Sequence, residues 1–262
     1  MDKRTGIIKY FNSPEDKEFA SKIIDTIEQA RKNRDVKYTQ FLDPAQIKMA
    51  EKIIEQFDGI KYTISSGIEN CERNIIAVYP DYASFEEIKL PLDAICISYN
   101  TKFEKIGHRD VLGAIMSLGI KREKVGDIFF NDNRCFIVVY KDISYYVLTN
   151  MTKIKHTPVK AEYIDFKDIK SREYEYKDVM SNVASLRLDS VLSSGFGESR
   201  RSISNEILNG NVKVNWEVTE EPHFIVQEGD TISLRGRGRI ILYKVLGTTK
   251  KGRINILIKK VI

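Results

Sequence analysis

The residues of this 262-residue sequence with the most definable chemistry are its C-terminal bases, and that chemistry is the neutralisation of phosphate. Beyond Asp230 the chain carries Arg235, Arg237, Arg239, Lys244, Lys250, Lys251, Arg253, Lys259 and Lys260 and no acid at all. Upstream of them stand Arg187, Arg200, Arg201 and Lys213. A base that neutralises a backbone phosphate releases a condensed counterion, so a local excess of this size is what a nucleic-acid backbone selects. Charge alone leaves a merely solvated basic face open as the alternative. Residues 182–262 hold 13 Lys and Arg against 8 Asp and Glu, and residues 1–181 hold 29 of each, so the net charge of +5 lies entirely in the last third.

Catalysis finds no comparable footing. His108-Arg109-Asp110 imitates a kinase catalytic loop, but Ile115 stands where that loop needs its Asn, so the tripeptide is expected to cap a helix. His108, His156 and His223 lack any CxxC, HxxxH or HExxH context, and no metal site is expected. Gly195-Phe196-Gly197 is followed by Arg200 where a dinucleotide fingerprint needs Gly, and no phosphate-binding loop exists, so no cofactor is expected. Arg187-Leu188-Asp189 also frames the catalytic Asp of pseudouridine synthases. Only 73 residues follow Asp189, too few for a synthase domain, and Asp189 is expected to orient its own helix. The reading is of a protein that is not an enzyme.

Composition sets the frame for these groups. With 42% hydrophobic and 30% charged residues, 15 Gly and 6 Pro, the chain is globular and long enough for two or three domains. Its longest apolar run, 135–140, falls far short of the roughly 18 residues of a membrane helix, and no apolar segment follows the basic N-terminus. A cytoplasmic location without a membrane partner is expected. Cys71, Cys96 and Cys135, odd in number and far apart, fit reduced thiols.

The elements that must position the bases predict an α+β fold with an N-terminal domain over 1–82, a central domain over 83–165, a charged linker over 166–181 and a C-terminal domain over 182–262. Ser13-Pro14-Glu15-Asp16 and Asp43-Pro44-Ala45-Gln46 read as N-caps of two helices, the second stopped by Gly59, and strands at 61–66 and 74–79 complete a hairpin. The central order is strand 94–99, helix 109–118, strands 127–130 and 135–140 around Asn131-Asp132-Asn133, helix 143–150 and strand 159–163. That is βαββαβ, a ferredoxin-like plait shared by RNA-recognition domains. The 134–140 segment lacks their Gly and paired aromatics, so base stacking is not expected there. Two short helices follow, around Val191 and, capped by Ser199, around Ile203, then strands at 212–216, 231–235, 240–246 and 254–261.

Arg187-Leu188-Asp189-Ser190-Val191-Leu192, Gly195, Ser199-Arg200, Ile207, Gly210-Asn211-Val212-Lys213-Val214-Asn215 and Glu228-Gly229-Asp230-Thr231-Ile232 are similar to the S4 RNA-binding domain. Trp216 departs from the Gly usual after Val-Asn and is expected to pack as core rather than to cover a base. Phe41-Leu42-Asp43-Pro44, Glu72-Arg73, His108-Arg109-Asp110, the 118–124 run with Gly126-Asp127-Ile128, and Arg235-Gly236-Arg237-Gly238-Arg239 extend the likeness, and the whole chain resembles the YlmH family of bacterial S4-domain proteins. The resemblance implies a role in ribosome-associated quality control: binding the large ribosomal subunit through 23S rRNA, holding P-site peptidyl-tRNA, and supporting a tail-elongating factor that adds alanine to the stalled nascent chain. Cell-division adaptor and, below it, rRNA-modifying enzyme are the alternatives. Arg187, Arg200, Arg201, Lys213, Arg235, Arg237 and Arg239 are the expected phosphate and sugar contacts, with Asn215 as a polar contact and Lys250, Lys251 and Arg253 extending the patch. Lys121, Arg122 and Lys124 form a central cluster expected to touch RNA or a partner factor.

Overall fold

A computed structural model describes residues 3–83, 88–100, 105–131, 133–169 and 176–261. They fall into two compact units, one on each side of the 170–175 stretch. In the first unit, α1 (Lys3–Lys9) and α2 (Pro14–Asn33) precede β1 (Lys37–Tyr38), α3 (Pro44–Ile54), β2 (Ile60–Ser65) and β3 (Ile75–Pro80). The expected caps form: Ser13 Oγ accepts the Asp16 N–H at 3.0 Å, and Asp43 and Gln46 make a reciprocal capping box. Gly59 does not close α3, which ends four residues earlier at an ordinary right-handed Glu55; its φ of +70° serves the turn into β2 instead. The sheet runs β1-β3-β2, a third short strand added to the expected hairpin.

The central part contains β4 (Leu92–Tyr99), α4 (His108–Ser117), β5 (Val125–Asn131), β6 (Arg134–Tyr140), α5 (Lys141–Asn150), β7 (Lys153–Ile154) and β8 (Thr157–Ile164). Its sheet order, β5-β6-β4-β8-β7 and antiparallel throughout, is that of a split βαββαβ plait with one small strand added at the edge. Asp132 of the expected Asn131-Asp132-Asn133 turn lies outside the described residues. Ile95, Ile97, Ile137 and Val139 bury the face toward the helices. The opposite face, which RNA-recognition domains leave open to bases, is buried here: Cys96, Phe129, Phe136 and Val138 form one core with Phe41 and Ile75 of the N-terminal part. Polar groups close the same seam. Arg73 donates to the Phe41 carbonyl (2.9 Å) and the Val125 carbonyl (3.1 Å), while the Asp127 carboxylate accepts the N–H groups of Glu72 (2.6 Å) and Arg73 (3.2 Å). Gly126 is needed where this seam is tightest, since a Cβ there would stand 2.8 Å from the Phe41 ring.

The second unit opens with a correction. Residues 176–181, expected as linker, belong to β9 (Tyr176–Val183), an edge strand paired along its whole length with β14 (Ile254–Val261); residues 170–175 of that expected linker lie outside the described residues. Its alternation puts Val179 and Val183 inward and Tyr176, Asp178, Met180 and Asn182 on the opposite, solvated face. Between the two strands in sequence come α6 (Leu188–Phe196), α7 (Arg200–Leu208), β10 (Val212–Val214), β11 (Glu217–Val218), β12 (Thr231–Leu234) and β13 (Gly238–Thr248). One antiparallel sheet, β11-β10-β12-β13-β14-β9, results. Leu188, Val191, Leu192, Ile203 and Ile207 of the helices pack on Val212, Val214, Ile232, Leu234, Ile240, Leu242, Ile256 and Ile258 of its inner face. Gly195 sits where α6 crosses β13, and a Cβ there would meet Ile240 Cδ1 at 2.7 Å.

Candidate nucleic-acid interface

Two bases of the second unit, Arg187 and Arg200, are held by one acid. Asp189, at the second position of α6, is 3% exposed amid apolar neighbours. Its Oδ2 accepts hydrogen bonds from Arg187 Nη2 (2.9 Å) and Arg200 Nη2 (2.8 Å), and its Oδ1 accepts from Arg187 Nε (3.2 Å). Burial opposes ionisation of this carboxyl, but the two guanidinium groups outweigh it and hold the acid below the usual carboxylate range. Asp189 therefore does more than orient its own helix: it ties the start of α6 to the start of α7. The Arg187 and Arg200 side chains stay 32% and 51% exposed, so the clamp holds two cations at the surface.

Two further arginines stand at the same end of the helices. Arg201, exposed, follows Arg200 in the first turn of α7, whose cap is made by Ser199 Oγ accepting the Ser202 N–H. Arg237, in the β12–β13 turn, brings Nη1 within 2.5 Å of Glu198 Oε1, an ion pair that lacks hydrogen-bond alignment, while Glu198 Oε2 accepts from Ser202. Arg235 is exposed in the same turn. Cations at a helix N-terminus work against the dipole unless an anion joins them, and exposed arginines beside free N–H ends are how helices receive phosphate.

Other expected contacts divide differently. Lys213 and Arg239 lie on the outer sheet face, each opposite Ser233, whose Oγ is 3.3 Å from Arg239 Nε. Asn215 is taken up internally, contrary to expectation: its Nδ2 donates to Asp230 Oδ1 (2.8 Å) and its Oδ1 accepts the Thr231 N–H (3.0 Å), which pins the β10–β11 turn. Lys250, Lys251 and Arg253 do not extend the patch. They sit at the far tip of the β13–β14 hairpin, about 30 Å from Arg239 at 3.3 Å per residue of strand, and Arg253 donates to the Asn182 carbonyl at 2.8 Å. Trp216, expected as core, stays outside the apolar cluster of this unit and is only partly buried.

In the first unit the expected basic cluster dissolves. Arg122 donates to the Val125 carbonyl and, at 3.2 Å, to the Gly126 carbonyl, and burial beside Arg73 lowers it to about 10. Lys124 pairs with Asp142 (2.7 Å) and lies over the Tyr140 ring (4.4 Å). Lys121 is the member of the three left exposed without such a role. Asp110 takes the Gly107 N–H at 2.9 Å and pairs with Lys155, the capping role expected of it. Among the described residues no group of three or more His, Cys, Asp and Glu is placed to hold a metal ion, and no helix is long and apolar enough to cross a membrane.

Sequence reasoning named the arginines but missed Asp189 as the acid that holds Arg187 and Arg200. The available signal was an acid set inside the apolar run Leu188–Leu192, where an unpaired carboxylate would be too costly to bury. Three family descriptions match the chain: "YlmH, N-terminal" over residues 15–83, "Putative RNA-binding domain in YlmH" over 86–168 and "S4 domain" over 186–232. The chain is 36% identical over 225 residues to a Bacillus subtilis (strain 168) protein named ribosome-associated protein quality control protein P2, covering 86% of this chain and 87% of that one. Among solved structures it is similar to the cell division protein ylmH from Streptococcus pneumoniae, at 27% identity and a TM-score of 0.52 over 61% of this chain and 98% of that one.

Proposed function

Because the chain belongs to the YlmH family of S4-domain RNA-binding proteins, we propose that it works on the large ribosomal subunit in ribosome-associated quality control. The family is RNA-binding and ribosome-associated. In this reading the helical end of the S4 unit, with Arg187, Arg200, Arg201 and Arg237, docks on phosphates of structured 23S rRNA, and Arg235, Lys213 and Arg239 add contacts from the adjoining strands and turn. The complex holds P-site peptidyl-tRNA in the cytoplasm while a tail-elongating factor extends the stalled chain with alanine. The single observation that carries the reading is the clamp of Asp189 on Arg187 and Arg200, which fixes two cations in advance of binding. The same clamp supports a non-catalytic role: a carboxylate with both oxygens engaged by guanidinium donors is a poor nucleophile or base.

A sucrose gradient of lysate carrying tagged protein, run at low and high salt with sequencing of the associated RNA, tests this. Co-sedimentation with large subunits bearing tRNA, weakening steeply with salt, is expected. The Arg200→Gln/Arg201→Gln pair should lose that co-sedimentation while keeping its circular dichroism. Protein that stays at the top of the low-salt gradient, with partners surviving nuclease and high salt, would overturn the ribosomal reading in favour of an adaptor.

A further inference from the structure

The sheet of the second unit has a face that the helices do not cover. Lys213, Ser233 and Arg239 lie across it in register on β10, β12 and β13, and Ile241, Lys259 and Asp178 do so on β13, β14 and β9. The solvated face of an antiparallel sheet is ordinarily polar. This one carries Tyr243 at 50% exposure, Tyr176 at 40% and Met180 at 66%. The aromatic rings are interleaved with bases. Lys259 Nζ stands 3.9 Å from the centroid of Tyr243 and 5.6 Å from that of Tyr176, and the Arg239 guanidinium stands 5.3 Å from the ring of Trp216.

Trp216 adds a second, independent oddity. Val214 pairs with Glu217, so Asn215 and Trp216 form a two-residue hairpin loop with φ of +50° and +71°. In such a type I′ turn the second place belongs to Gly, and a bulky residue there is strained. Core packing does not compensate, because the Trp216 ring stays partly exposed and outside the apolar cluster. A strained residue whose ring is held out beside a guanidinium is a functional signal.

We propose that this open sheet face is a stacking platform for unpaired nucleotides of RNA. Trp216, Tyr243 and Tyr176 take base faces, and Arg239, Lys213, Lys244 and Lys259 take the intervening phosphates, the combination that single-stranded nucleic acid requires. The platform rests on the RNA-binding reading above and adds to it a second surface, distinct from the helical end that meets structured RNA by phosphate contact.

Trp216 is the single tryptophan of the chain, so its fluorescence reports directly on that face. The full-length protein is titrated with short oligoadenylate, with an abasic oligomer of equal length and charge, and with a blunt RNA duplex. Oligoadenylate is expected to quench Trp216 and to bind at least tenfold more tightly than the abasic oligomer. Read by anisotropy of end-labelled oligomers, which does not need the tryptophan, Trp216→Gly, which suits the turn, and Tyr243→Ala, which removes an exposed ring, should each weaken oligoadenylate binding about tenfold and leave duplex binding unchanged. Equal affinity for oligoadenylate and abasic oligomer without quenching, alongside normal duplex binding, would overturn the platform alone. Loss of binding to all three would overturn the RNA-binding reading beneath it.

Discussion

Asp189→Asn sets electrostatics against geometry. The change keeps the shape of the side chain and removes the negative charge beneath Arg187 and Arg200, so charge counting alone predicts tighter RNA binding. The geometry predicts the reverse. The carboxylate accepts three hydrogen bonds, at 2.9, 2.8 and 3.2 Å. An amide offers one oxygen, and its NH2 group faces guanidinium donors it cannot satisfy. Both arginines, already part-exposed, then return to solvent and regain rotamer freedom. Each must be ordered again on binding at a cost of about 0.5–1.5 kcal/mol, together about 1–3 kcal/mol, or roughly 5- to 150-fold in Kd. The added surface charge returns at most about 1 kcal/mol at low salt. Fluorescence anisotropy with a structured RNA, across a range of salt, reads the sign directly. Weaker binding by the variant is expected once salt screens the added surface charge. Equal or tighter binding at high salt would show that Asp189 contributes no positioning and that the arginines act as free charges.

Two further outcomes follow from the same unit. Since the folded state holds the Asp189 carboxyl below its unfolded value, the clamp's contribution to stability is fully present above about pH 4 and is lost as pH falls through the lowered folded value; denaturant melts over that acid range should show a smaller loss in Asp189→Asn than in the native protein, since Glu18, Asp35 and Asp110, also held low, remain in both. Gly195→Ala should lower the unfolding free energy by about 1–2 kcal/mol, read as a lower urea midpoint at unchanged m-value, because overpacking against Ile240 exceeds the helix-propensity gain.

Local signals in the sequence translated well into local structure. Ser13 and Asp43 announced their helices because capping is decided within four residues, and the plait's order followed from periodicity alone. Grouping of the bases was a different matter. Lys213 and Arg239 share a face through their register with Ser233, and Arg187 meets Arg200 through a buried acid eleven residues before the latter; both depend on tertiary pairing that no window of sequence displays. Basic residues also serve two ends, and Arg122 and Lys124 were spent on a carbonyl cradle and a tyrosine face rather than on a ligand. β9 escaped because an edge strand with one wet side reads, residue by residue, like a charged linker.

The pairing of β9 with β14 also bears on how the S4 unit is made. Val183 meets Ile254 and Tyr176 meets Val261, so these contacts join segments more than seventy residues apart. Closing so long a loop is slow compared with forming the α6–α7 pair or the β13–β14 hairpin, whose partners are near neighbours. During synthesis β9 leaves the ribosome first and waits, with Met180 and Tyr176 on an unpaired edge, until β14 arrives to separate it from β13. A messenger truncated before β14 would therefore yield not a shortened binder but an open-edged, aggregation-prone fragment.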